Sequence, residues 1–90
     1  MSVYVDSERN TFRHMVMSHM VADTLEELHA MAQHLGLKRS WFQVSRSGMP
    51  HYDVCQSKRA QAVKLGAVEI NRRQLVELVK KREKGEKIRT

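Results

Sequence analysis

The residues of this chain with the greatest chemical capability are the consecutive His51-Tyr52-Asp53. An imidazole such as that of His51 can act as a general acid or base near neutral pH, and Asp53 can orient it or bind a cation. Tyr52 can donate a hydrogen bond or stack on a base. His51 and Asp53 are therefore the candidate catalytic residues, and Tyr52 is a candidate ligand-binding residue. The alternative is a structural loop in which Asp53 caps the next helix and Tyr52 packs.

Two cations follow at the predicted start of a helix, in the sequence Ser57-Lys58-Arg59. A helix N-terminus presents free N–H groups and a partial positive charge, so cations there are unfavourable unless an anion lies close. That anion is either a ligand phosphate or a carboxylate of the chain, for which Asp53 and Glu69 are available. The segment predicts phosphate binding by Ser57, Lys58 and Arg59, or internal pairing of the two cations.

An aromatic pair, Trp41-Phe42, precedes this region and is followed by Gln43. Only one ring of the pair can face each side of a strand. We expect one ring in the core and the other under a loop. The alternative is a stacking platform for a base, with Gln43 reading the edge of that base. Trp41 and Gln43 are therefore candidate ligand-binding residues as well.

The five histidines raise the question of a metal site. His14 and His19 would face opposite sides of one strand, while His29 and His34 would point about 140° apart on a helix, as on a solvated face. No HExxH or paired-cysteine motif is present, so we predict no metal centre. If an ion were bound, the only ligands that the predicted sheet could gather are Asp6, His19, His51 and Asp53. The single Cys55 is predicted to be an inert thiol.

The composition indicates one small globular domain. Ninety residues, 41% of them hydrophobic and 29% charged, are typical of a folded chain with a small core. No apolar run approaches the roughly 18–20 residues of a membrane span, and the N-terminus lacks the layout of a signal peptide. We therefore expect a cytoplasmic protein that does not contact membranes.

The net charge of +6 is concentrated at the C-terminus. Residues 71–90 hold eight Lys and Arg against three Glu, so the rest of the chain is nearly neutral. We expect a domain over residues 1–79 and a basic, frayed tail over residues 80–90. Such a basic segment is typical of a solvated helix face or of a surface that contacts nucleic-acid phosphates. The last helix could also pack against its counterpart in a homodimer, through its apolar residues Leu75, Leu78 and Val79.

The elements that position these residues follow from β-favouring runs and capping signals. The runs at 3–5, 15–22, 40–45 and 68–70 predict short strands, and 15–22, apolar on both faces, is predicted as an inner strand. Residues 46–50 are predicted as a loop leading into His51. Three helices are predicted between and after these strands. Their start and stop signals are, in chain order, Thr24-x-x-Glu27 with Gly36, Ser57 or Asp53 with Gly66, and Asn71-x-x-Gln74.

Strand, helix and strand in succession predict a right-handed parallel crossover. The predicted fold is a small single α/β domain, with about four short strands in a mixed, partly parallel sheet and two to three helices. Five segments of this arrangement resemble a known family: VYVD (3–6), MVMSHMVADTLEELHAMAQHLGL (15–37), WFQ (41–43), PHYD (50–53) and SKRAQAVKLGAVEI (57–70).

In this order the segments resemble a family of small bacterial and bacteriophage proteins classified only as domain of unknown function 4031. The resemblance covers about residues 2–75 and leaves the basic C-terminal segment outside. It implies a cytoplasmic protein of bacterial or phage origin, without an established activity.

The sequence therefore leaves two possible functions open. The first is a binding module or small enzyme for a phosphate-bearing ligand, such as a nucleotide or a nucleic-acid end, at residues 51–59. The second is a non-catalytic accessory protein that binds a host or phage macromolecule, DNA or protein, through its basic C-terminal helix. No motif identifies a cofactor.

Overall fold

The fold combines three helices with a six-stranded mixed sheet, in a computed structural model that describes residues 2–12 and 15–83. The predicted class, a small α/β domain with a partly parallel sheet, is confirmed, and the described residues contain two strands more than the four predicted. In chain order the elements are β1 (Val3–Asp6), β2 (Asn10–Phe12), β3 (Met15–Ala22), α1 (Leu25–His34), a 3-10 turn (Arg39–Trp41), β4 (Gln43–Val44), β5 (Pro50–Cys55), α2 (Gln56–Lys64), β6 (Val68–Ile70) and α3 (Arg72–Glu83).

The strand order in the sheet is β4-β5-β3-β1-β6. β2 pairs with the same edge of β3 as β1 does, farther along that strand. β3 is antiparallel to β1, β2 and β5, whereas β1 and β6 form a parallel pair. The predicted inner position of residues 15–22 is confirmed, although Met15 and Val16 are exposed. β4 runs in the same direction as β3, but β5 lies between them, so the two ends of the predicted crossover do not pair directly.

Reciprocal capping bonds hold the starts of α1 and α3. The Thr24 hydroxyl accepts the N–H of Glu27 at 3.2 Å and donates to its carboxylate at 2.9 Å. Asn71 and Gln74 exchange backbone N–H to side-chain bonds of 2.9 Å in both directions. α1 is followed by Gly36 at φ 75°, a left-handed conformation that glycine adopts without steric cost. Both predicted capping patterns are therefore confirmed.

The structure corrects three local predictions. Residues 40–45 are not one strand, because a 3-10 turn occupies Arg39–Trp41 and β4 has only two residues. Pro50, predicted as the end of a loop, instead begins strand β5, which pairs with β3 and β4, so residues 51–53 are not the structural loop that was considered as an alternative. α2 begins at Gln56 with Cys55 in the N-cap position, so neither Ser57 nor Asp53 is its cap.

α1 and α2 cover one face of the sheet and form the core with it. Met20, Tyr52 and Val54 from the sheet join Leu28 of α1 and Ala62 of α2 in one cluster, and each is at most 1% exposed. Burying a side chain as large as Leu28 contributes about 1.5–3 kcal/mol relative to leaving it in water. Among the described residues, no helix combines the length and apolar character needed to cross a membrane.

The opposite face of the sheet carries polar residues. Since side chains alternate along a strand, the neighbours of the core residues Met20, Tyr52 and Val54 point to this second face. A cleft of about 570 Å³ between this face and α3 is lined by residues that include His19 and Leu75. The polar side chains that this face brings together are those of Asp6, His19, His51 and Asp53.

Candidate functional site

Three neighbouring strands align Asp6, His19 and Asp53 in one row across the sheet. His19 and Asp53 are register partners on β3 and β5. On β1, Asp6 follows Val5, whose partner is Met20, so Asp6 lies opposite His19. Antiparallel pairing thus gathers groups that are far apart in the sequence.

Asp6 is the buried anchor of this row, with a side chain that is 0% exposed. Its carboxylate accepts the backbone N–H of His19 at 2.8 Å and the Nδ1 of the same residue at 2.7 Å. Because a carboxylate accepts hydrogen bonds, the neutral form of His19 carries its hydrogen on Nδ1 and keeps a lone pair on Nε2. The hydrogen bond to Asp6 raises the pKa of His19, burial opposes this, and the negative charges of Asp6, Asp53 and Glu8 add to the increase.

His51 presents a second imidazole, with its ring plane at 75° to that of His19 and the ring centres 5.4 Å apart. Its Nδ1 lies 3.0 Å from the carbonyl oxygen of Met49, which can only accept, so in the neutral imidazole the Nε2 atom again has the lone pair. Nε2 of His51 lies 3.7 Å from Oδ1 of Asp53, and Nε2 of His19 lies 3.9 Å from the same oxygen. Both distances exceed a hydrogen bond, so the three groups surround a small volume without bonding each other.

His19 and Asp53 also line a cleft of about 820 Å³ on this face. Its wall includes the ring of Trp41, which is 48% exposed, together with Gln43 and Lys58. The Gln43 amide donates to Oδ2 of Asp53 at 3.3 Å and leaves Oδ1 directed at the two imidazoles. The cleft therefore combines an aromatic surface, a cation and a carboxylate.

The two cations at the start of α2 have different surroundings. Arg59 donates from Nε to the Asp6 carbonyl at 2.9 Å and pairs with Glu69 at 2.9 Å, which is the internal pairing considered for it. Within the described part of the chain, no carboxylate lies within 4.0 Å of the Lys58 ammonium, and Lys58 lines the larger cleft. Ser57 is exposed, and its hydroxyl lies 3.3 Å from Sγ of Cys55. Lys58 is thus the cation that remains available to a ligand.

Tyr52 belongs to the core and does not line the cleft, in agreement with the alternative in which its ring packs. It is 1% exposed, and its hydroxyl lies 2.8 Å from Nδ1 of His29. His29, expected on a solvated helix face, is half-buried and packs edge-on against Phe42 and Tyr52. Burial lowers the pKa of His29, and the charge of Arg39 adds to this. His34 is exposed, and His14 lies outside the described residues.

The surroundings of Cys55 lower the pKa of its thiol, an effect that the sequence did not indicate. The hydrogen bond with the Ser57 hydroxyl lowers the pKa of the thiol, burial opposes this, and backbone N–H groups at the start of α2, including that of Lys58, add to the decrease. Cys55 also lines the larger cleft. The sequence signal for the lowered pKa is the position of Cys55 directly before α2. No side-chain oxygen caps the first turn of that helix, so its free N–H groups stabilise the thiolate.

The fold and this polar face define a small α/β protein with a candidate ligand-binding cleft. The chain belongs to the family described as protein of unknown function (DUF4031), whose sequence profile matches residues 3–82. This confirms the resemblance seen in the sequence, and it extends beyond residue 75 to include most of α3, which had been expected to lie outside. No curated protein and no solved structure matches the chain.

Proposed function

We propose that the protein binds a phosphate-bearing ligand, with the size of a nucleotide or a nucleic-acid end, in the cleft lined by Trp41 and Lys58. The supporting observation is that one cavity of about 820 Å³ holds a cation, an exposed indole ring and the polar pair His19 and Asp53. The volume lies within the range of about 300–1,000 Å³ that is usual for small-ligand sites.

The phosphate group is expected to contact Lys58. This residue lies in the first turn of α2, where the helix dipole favours an anion, and no carboxylate among the described residues pairs with it. Arg59, once a candidate for the same role, instead joins the start of α2 to β1 through the Asp6 carbonyl. It therefore supports the position of Lys58 without contacting the ligand.

The base is expected to stack on Trp41, with the Gln43 amide at its edge. Trp41 is 48% exposed, and the ammonium of Lys38 lies 5.7 Å from the centre of a ring of its indole. Stacking a base on an aromatic side chain is worth about 1–3 kcal/mol. Because the His51 side chain is only 11% exposed, this arrangement favours binding over acid–base catalysis by His51.

Trp41 is the single tryptophan of the chain, so its fluorescence reports directly on the cleft. The wild-type protein and two variants would be titrated with adenosine monophosphate, adenosine and inorganic phosphate. Lys58→Met is expected to weaken monophosphate binding about tenfold or more, because a hydrogen bond to a charged group is worth about 1.5–3 kcal/mol. Lys64→Met, in the last turn of the same helix and outside both clefts, should bind as the wild type does.

Equal affinities in the wild type and Lys58→Met would contradict the proposal. So would DNA binding that is abolished by deleting residues 80–90 and is insensitive to Lys58→Met, since that result would assign the function to the basic C-terminal helix. Any such DNA affinity should fall steeply with added salt, because phosphate contacts release counterions.

A further inference from the structure

The phosphate-binding proposal places neither the phosphate nor the base in the space between the two imidazoles and Asp53. We propose that it binds one divalent transition-metal ion through Nε2 of His19, Nε2 of His51 and Oδ1 of Asp53. The sequence alone favoured no metal centre, because the histidine pairs were not suitably spaced and no HExxH or paired-cysteine motif is present. In the structure, one ligand atom from each lies within 4.8 Å of the other two.

The first argument is that both imidazoles have the correct tautomer. A histidine that binds metal through Nε2 normally donates its Nδ1 hydrogen to a carboxylate or a backbone carbonyl, which orients the ring. His19 donates to the buried Asp6 carboxylate at 2.7 Å, and His51 has the Met49 carbonyl at 3.0 Å. One imidazole is therefore oriented by a carboxylate and the other by a backbone carbonyl, as is usual for histidines that bind metal.

The second argument is the spacing of the ligand atoms. Two ligand atoms that bind one ion at about 2.1 Å are about 3.4 Å apart at a tetrahedral angle. The nitrogen to oxygen distances of 3.7 and 3.9 Å need to shorten by only a few tenths of an ångström. A direct hydrogen bond to Asp53 would require a closer approach still, so the observed spacing fits an ion better than a shared proton.

The third argument concerns Asp53 and access. Oδ2 of Asp53 accepts from the Gln43 amide at 3.3 Å, which turns Oδ1 toward the imidazoles. His19 and Asp53 line the larger cleft, so an ion here would have its remaining coordination positions open to that cleft. Two imidazoles and one carboxylate are ligands of the class that binds Zn²⁺, Co²⁺ or Fe²⁺ in preference to Mg²⁺ or Ca²⁺.

Zn²⁺ calorimetry and Co²⁺ visible absorption on the full chain test this proposal. The wild type is expected to bind one equivalent of either ion. Asp53→Asn and His51→Ala should weaken binding by roughly a hundredfold, since loss of an outer partner alone costs about 10–100-fold. The matched control is His34→Ala, which removes an exposed histidine at the end of α1 and should leave the affinity unchanged.

The proposal is overturned if the wild type shows no saturable one-to-one binding, or if Asp53→Asn binds as tightly as His34→Ala does. Circular dichroism would confirm that each variant folds. Asp53→Asn is nearly isosteric at a side chain that is 37% exposed, so it decides the result even if His51→Ala does not fold. Nucleotide titrations of Trp41 fluorescence in the presence of a chelator test phosphate binding separately, so either proposal can fail alone.

Discussion

Replacing Asp6 with Asn is expected to move the hydrogen of the His19 imidazole from Nδ1 to Nε2. In the wild type, both carboxylate oxygens accept from His19, one from the backbone N–H at 2.8 Å and one from Nδ1 at 2.7 Å. Asparagine has a single oxygen, which must stay on the backbone N–H because that donor cannot change. The amide NH₂ then faces Nδ1, which becomes an acceptor, and Nε2 takes the hydrogen.

Asp6→Asn should affect both folding and metal binding. Each of the two hydrogen bonds from His19 changes from one to a charged group, worth about 1.5–3 kcal/mol, to a neutral one worth about 0.5–1.5 kcal/mol, so the free energy of unfolding should fall by about 2 kcal/mol. A protonated Nε2 cannot bind an ion, and loss of the outer carboxylate typically costs 10–100-fold in metal affinity, or about 1.4–2.7 kcal/mol. The metal affinity should therefore fall even in protein that is fully folded.

Long-range ¹H–¹⁵N correlation spectra of the imidazoles would identify the tautomer of His19, and Zn²⁺ calorimetry would give the affinity. Asp23→Asn is the matched control. Asp23 also accepts a backbone N–H, from Ser2 at 2.7 Å, and a side-chain hydroxyl, from Tyr4 at 3.1 Å, but at the opposite end of β1. If His19 kept its hydrogen on Nδ1 in Asp6→Asn, or if the Zn²⁺ affinity stayed within about twofold of the wild type, the reasoning about the tautomer would be wrong.

Two further predictions concern titrating groups. Ser57→Ala should raise the pKa of the Cys55 thiol, because it removes the hydrogen bond that contributes most to lowering it, and the pH profile of iodoacetamide alkylation should move to higher pH. Unchanged profiles would contradict this. Because burial lowers the pKa of His29, the stability that its neutral form provides is present above about pH 6.5 and is lost as the pH falls from that value through the lower pKa of the folded state. The melting temperature of wild type should consequently drop more between pH 7 and pH 5 than that of His29→Asn, whereas parallel curves would disprove the assignment.

Local signals were sufficient for the starts of α1 and α3 and insufficient for the start of α2 and for the site strand. Capping boxes act within four residues, so the starts of α1 and α3 could be predicted from Thr24 and Asn71. β5 has no comparable local signal, because its strand conformation depends on pairing with β3 on one edge and β4 on the other. Once β5 is known to be a strand, alternation alone separates Tyr52 from His51 and Asp53.

The candidate site could be located only in part from the sequence. The set of Asp6, His19, His51 and Asp53 was identified as the one that a sheet could gather, but its spacing depends on a register that no local pattern specifies. The different surroundings of Lys58 and Arg59 could not be predicted either, because the contact between Glu69 and Arg59 depends on the pairing of β6 with β1.

The lengths of the outer strands bear on how this protein avoids aggregation. β2, β4 and β6 have three, two and three residues, so these outermost strands themselves present few unpaired N–H and C=O groups to another chain, although β4 pairs with only Pro50 and His51 of the longer β5. Glu69 adds a charged side chain, 60% exposed, in the middle of β6. Edge-to-edge pairing through β6 is therefore disfavoured by its short length and by the charge of Glu69, even though the body of the domain has little net charge for mutual repulsion.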